Sequence, residues 1–140
     1  MILQGDDATL EIVLGELVPA GRPDAGDLRL MARLTSGEFT GCNDSAWVSA
    51  SMWQSFLTEL RRVEEQRSGE ARVLSMSPSD FALRIFVRDR AGHVAAEGHV
   101  GKDLMWSTGA HAAHIPFRME LDPSTLLLVL SRFRDLGSDR

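Results

Sequence analysis

The stretch FALRIFVRDRAGHVAAEGHV, residues 81–100, and the run IPFRMEL, residues 115–121, decide the fold. Phe81, Leu83, Ile85 and Val87 share one parity. Val94, Ala96, Gly98 and Val100 form a second such set, and Ile115, Phe117, Met119 and Leu121 a third. Each run offers one apolar and one polar face, the pattern of a half-buried antiparallel sheet rather than a doubly covered parallel one. Directly after the third run, Asp122 supplies an N-cap and Pro123 a first helical position where a missing donor costs nothing. Leu126, Leu127, Leu130 and Phe133 then make a helical core stripe.

Working outward, residues 70–76 read as a strand, closed by a turn at Ser77, Pro78 and Ser79. Before it, Met52, Trp53, Phe56, Leu57, Leu60 and Val63 recur at helical spacing. Ser51 with Gln54 fits a capping box for that helix, and Ser68 with Gly69 its stop. Further upstream, Leu10, Ile12 and Leu14 alternate in one strand, and Leu28, Leu30, Ala32 and Leu34 in a second whose other face is Arg29, Met31, Arg33 and Thr35. A tight turn at Ser36 and Gly37 leads to a third strand from Phe39. Residues 15–26 and 103–113 read as loops, Trp106 lying in the latter. The expected architecture is α+β: a curved antiparallel sheet of about seven strands with two amphipathic helices packed on it, in the order βββαββββα. At 140 residues, with no repeat or linker, residues 1–140 are expected to form a single domain.

Charge is unevenly placed. Residues 1–50 hold eight acids against three bases, and residues 51–140 hold twelve of each, so the whole net charge of −5 sits in the N-terminal third. An acidic surface repels nucleic acid, whose binders displace counterions with clustered Lys and Arg, and suits a basic protein partner. The longest apolar run, residues 126–130, is far short of the roughly 20 residues that span a bilayer. Neither a membrane nor an export segment is therefore expected, and the location expected is cytoplasmic. The one cysteine, Cys42, permits no internal disulfide and is read as a structural or incidental thiol.

Searches for chemistry return little. His93 and His99 share a strand face but stand six residues apart, about 20 Å at strand rise, too far to hold one ion. His111 and His114 lack the glutamate and helical spacing of a zinc protease motif. Gly101 and Lys102 hint at a phosphate loop, but Asp103 stands where a hydroxyl is needed. No catalytic, cofactor-binding or metal residue is assigned. Trp47 and Trp53 read as core, whereas Trp106 reads as a contact anchor or a lid over the sheet edge.

In order along the chain, Phe39 and Gly41, then Trp53, Phe56 and Leu60, Gly69 and Ala71, Phe81, Leu83 and Ile85, the compact Gly92, His93 and Val94, and finally residues 117–122 with Leu126 resemble the WapI type of small bacterial immunity proteins. The resemblance covers most of residues 28–136. It implies a non-enzymatic protein, without cofactor, that binds and neutralises a cognate polymorphic toxin domain, a nuclease being one class whose basic face would suit an acidic inhibitor. Charge and expected exposure name Trp106, Asp24, Asp27 and Asp103 as candidate partner-binding residues. The alternatives are a self-associating structural or adaptor module joined through a sheet edge, and a small metal-dependent enzyme built on His111 and His114. Monomer and homodimer both remain open.

Overall fold

The computed structural model describes residues 1–106 and 109–138, with the side chains of 104–106 and 109–112 outside the described set. The chain is α+β. Four strands, β1 (Ile2–Gln4), β2 (Ala8–Leu17), β3 (Leu28–Ser36) and β4 (Phe39–Val48), precede helix α1 (Ala50–Gln66). Strands β5 (Glu70–Leu74), β6 (Phe81–Val87), β7 (Val94–Trp106) and β8 (Gly109–Leu121) follow, then a 3-10 turn (Pro123–Thr125) and helix α2 (Leu126–Leu136). Every strand pairs antiparallel with its sequence neighbour, giving two four-stranded sheets, β1–β4 and β5–β8. Two sheets replace the one curved sheet expected, because α1 intervenes between β4 and β5 and carries the chain to a second layer. Contact between the layers runs through Asn43 of β4, whose side-chain amide donates to the Gly101 carbonyl of β7 at 2.7 Å, and through Met76, whose N–H donates to the Trp47 carbonyl.

Alternation explains the inner faces. On β3, Leu28, Leu30, Ala32 and Leu34 are buried, while Arg29, Met31, Arg33 and Thr35 point outward. Their opposite numbers on the second sheet are Phe81, Leu83 and Ile85 of β6 and Val94, Ala96 and Val100 of β7. One continuous cluster of buried side chains joins both sheets and both helices. Its aromatic centre is Trp53 and Phe56 of α1 against Phe133 of α2, with Phe56 and Phe133 edge to face at 4.9 Å between centroids.

Several expectations need correction. An eighth strand, β1, precedes the first one read; at three residues it is too short to display a period. Of residues 103–113, expected as a loop, 103–106 and 109–113 instead continue β7 and β8 in register, Asp103 opposite Ala112, and 107–108 lie outside the described residues. Backbone pairing carries that hairpin, so it needs no alternation of polarity to form. The N-cap of α1 is Ser49 rather than Ser51: its hydroxyl accepts from the Met52 N–H at 3.2 Å. On α2 the buried stripe is Leu126, Val129, Leu130 and Phe133, and Leu127 is exposed. Trp47 faces outward opposite Arg29 and is only half-buried.

Other expectations hold. The tight turn between β3 and β4 is present but falls one residue later than read, at Gly37 and Glu38 between the paired Ser36 and Phe39, with Gly37 at φ 59°, a conformation that suits its missing Cβ. Asp122 caps the last segment, accepting from the Ser124 N–H at 2.9 Å, and this bond holds its carboxyl below the ordinary aspartate range. Among the described residues no helix is long and apolar enough to cross a membrane.

Candidate partner-binding surfaces

The outward faces of the two sheets differ in kind. On the second sheet, the row Arg72, Arg84, Glu97 and Arg118 runs across β5 to β8, with Glu70 one step along. Arg84 hydrogen-bonds both Glu70 and Glu97, the latter at 2.7 Å, and Arg118 also reaches Glu97. Arg88 pairs with Glu120 and Asp89. Phe86 lies beneath two guanidinium groups, those of Arg84 at 3.9 Å and Arg118 at 5.4 Å from its centroid. The Arg84 bond, opposed by slight desolvation, draws the Glu70 carboxyl below the ordinary glutamate range. Charge on this face is consumed by its own neighbours.

The first sheet is different. Register sets Glu11 beside Arg33 and Arg33 beside Cys42, and sets Val13 beside Met31. All five of these side chains are exposed, Val13 at 44% and Met31 at 41%. Together with Ala32, Asn43 and Asp44 they line a groove of about 330 Å³. Glu16 pairs with Arg29, which also donates to the Asp44 carbonyl. The carboxylates of Asp6, Asp7, Glu11, Glu38 and Asp44 make no ion pair among the described residues. Three of them gather at one end of the sheet, because the Gly37 N–H donates to the Asp7 carbonyl and ties the β3–β4 turn to the β1–β2 turn. Phe39, 70% exposed, follows Glu38 there.

The residues named from sequence fall in separate places. Asp24 and Asp27 both lie in the β2–β3 connection, with the Asp27 N–H donating to the Asp24 carbonyl. Asp24 is engaged by Arg22, Nη2 to Oδ2 at 3.1 Å, and Asp27 Oδ1 accepts from the Ala50 N–H at 2.8 Å, at the start of α1. Asp103 is exposed on β7, two residues past Gly101 and so beside the middle of β4. Ala50 lies seven residues further along the chain from Asn43, about 20 Å at strand rise, so Asp103 does not join the aspartate pair. The side chains of Trp106 and His111 lie outside the described residues.

His99 and His114, not the pairs weighed from sequence, come together, with ring centroids 5.3 Å apart and His99 Nε2 on the Pro78 carbonyl. The described residues hold no group of three or more potential metal ligands. His93 Nδ1 meets Asp89 at 2.7 Å, and this contact lowers the Asp89 carboxyl below its ordinary range. Cys42, read as structural or incidental, is exposed on the groove, which leaves it no part in the buried core. A signal for the groove was present in the sequence: Met31 stands between Arg29 and Arg33 on a parity otherwise polar, as does Val13 after Glu11.

The profile of the Immunity protein WapI-like family matches residues 1–136, taking in both sheets and both helices. No curated protein and no solved structure matches the chain. The match spans nearly the whole sequence, including the acidic first third where the resemblance of individual residues is weakest, and the chain therefore belongs to the WapI-like immunity protein family, whose members are typically non-enzymatic.

Proposed function

We propose that this protein neutralises a cognate polymorphic toxin domain by binding it and covering its active or substrate-binding surface, with no chemistry of its own. Family membership carries the reading, since an immunity family implies a toxin partner. Charge supports it: the acidic excess of residues 1–50 is displayed as carboxylates without internal ion pairs, the form that attracts a basic partner over a distance. A nuclease, which must present basic residues to its own substrate, is the toxin class that fits best. The encounter would take place in the cytoplasm of the producing cell. Asp24, Asp103 and Trp106 stand as further proposed contacts, while the Asp27 carboxylate already serves α1.

The test is titration calorimetry of the full chain against the toxin domain encoded beside it, at low and high salt. One-to-one binding that weakens with salt is expected, because screening over roughly 10 Å at 0.1 M removes the steering of exposed charges. Absence of binding to a folded toxin domain refutes the reading and leaves self-association as the function to pursue.

A further inference from the structure

Resting on that reading, we infer that the toxin docks on the outward face of the β1–β4 sheet, with an apolar side chain of the toxin seated in the groove between β2, β3 and β4 and basic residues around it.

Three observations converge on this face. Its centre is apolar and open: Val13, Met31 and Cys42 are exposed side by side, where period-two alternation would have set polar residues. Around that centre stand the carboxylates of Glu11 and Asp44 with two bases, Arg33 and the Glu16-paired Arg29, and Asp6, Asp7 and Glu38 add three more carboxylates at the end of the sheet; none of these five is in an ion pair among the described residues. An apolar centre with a charged rim is the anatomy of a specific interface, and the sign of the rim selects a basic occupant. The opposite face of the molecule is the control. There, four arginines are held by Glu70, Glu97, Glu120 and Asp89, so a toxin would have to break pairs in order to form its own. The exposed Leu127 and Leu128 of α2 offer apolar area but no such rim of unpaired carboxylates.

The single cysteine provides a reporter that needs no mutation. Alkylation of Cys42 by N-ethylmaleimide is followed by mass spectrometry in the wild-type full chain, alone and with the toxin domain at saturation. In the complex the rate is expected to fall about tenfold or more, since a docked side chain excludes water and reagent from an interface centre. In parallel, Met31→Lys, placing a positive charge at an exposed strand position, is expected to weaken toxin affinity about thirty-fold or more, the effect of losing a central anchor. Met31→Thr keeps strand propensity and is expected to weaken binding in the same direction. Leu127→Lys on α2 is expected to leave affinity unchanged.

A wild-type complex in which Cys42 reacts at the free rate overturns the surface while leaving the immunity reading intact. So does affinity lost on Leu127→Lys and kept on Met31→Lys. Protection of Cys42 that grows with the concentration of the chain alone assigns the face to a second copy, which also overturns the inference. No binding of the toxin by the wild-type chain removes both the reading and the surface.

Discussion

Asp27→Ala should destabilise the fold rather than primarily weaken a contact. Its carboxylate accepts from the Ala50 N–H at 2.8 Å, and its own backbone closes the base of the β2–β3 connection, the Val18 N–H donating to the Asp27 carbonyl at 2.9 Å. A residue far upstream thereby supplies what the first turn of α1 lacks, since the amides at a helix start have no partner within the helix. Removing a hydrogen bond to a charged acceptor costs about 1.5–3 kcal/mol, and losing an anion near a helix N-terminus a further 0.3–1 or so. Ala50 is only half-buried, so water recovers part of the first amount, leaving about 2 kcal/mol. In a chain of this length that lowers Tm by about 6 °C. Asp27→Asn keeps an acceptor in the same place and should lose less than half as much. Asp24→Ala, which breaks only the exposed pair with Arg22, should stay within about 0.5 kcal/mol of wild type. Urea denaturation and thermal melts of the three variants decide it. If Asp27→Ala unfolds within about 0.5 kcal/mol of wild type, the bond to Ala50 does not hold the helix and the reasoning fails.

Other expectations follow the same physics. Phe133→Ala opens a cavity against Trp53 and Phe56 and should cost about 3–5 kcal/mol, readable as a fall in urea midpoint; a loss below about 1 kcal/mol refutes the aromatic centre. Gly101→Ala would place a Cβ 2.6 Å from the Ser79 carbonyl oxygen, with the Ala113 carbonyl as close on another side, and as backbone cannot easily yield a loss of about 1–3 kcal/mol is expected. An unchanged melt would mean that the β5–β6 turn and β8 pack less tightly on β7 at Gly101 than these distances require. For pH, Glu70 is held ionised by Arg84, so its contribution is complete above the ordinary glutamate pKa of about 4.3 and is lost as pH falls through its lowered native value. The urea-midpoint gap between wild type and Arg84→Gln should accordingly be wider at pH 7 than at pH 3, and an equal gap at both refutes the pairing.

Sequence and structure agree where a period repeats often enough to be read. The alternation of β3 and β6 and the stripe Trp53, Phe56, Leu60 and Val63 were legible because burial imposes them residue by residue. A three-residue strand such as β1 has no room for a period. The outer part of the β7–β8 hairpin, where residues 109–114 are Gly, Ala and His alone, hides its extended backbone behind a composition poor in strand-forming residues. Ser49 and Ser51 are chemically equivalent as caps, and only the turn out of β4 distinguishes them. Leu127 and Val129 exchanged roles because a leucine-rich run gives the helical wheel several equally good stripes. Charge and expected exposure single out the aspartates. What each carboxylate does depends on its neighbours across the fold, Arg22 for Asp24 and the Ala50 amide for Asp27, and that information is not local.

The two parities of β3 separate two kinds of inheritance. Leu28, Leu30, Ala32 and Leu34 are nearly inaccessible and are bound to the shape of the core, whereas Met31, Arg33 and Thr35 between them touch little that the fold requires. Substitutions at the second set fall in the class that changes stability by about 0.5 kcal/mol or less. A lineage can therefore rewrite every other residue of this strand to follow a changing adversary while the intervening letters stay fixed. For the same reason, a library randomised at Val13, Met31, Arg33 and Cys42 would vary recognition while retaining a folded scaffold.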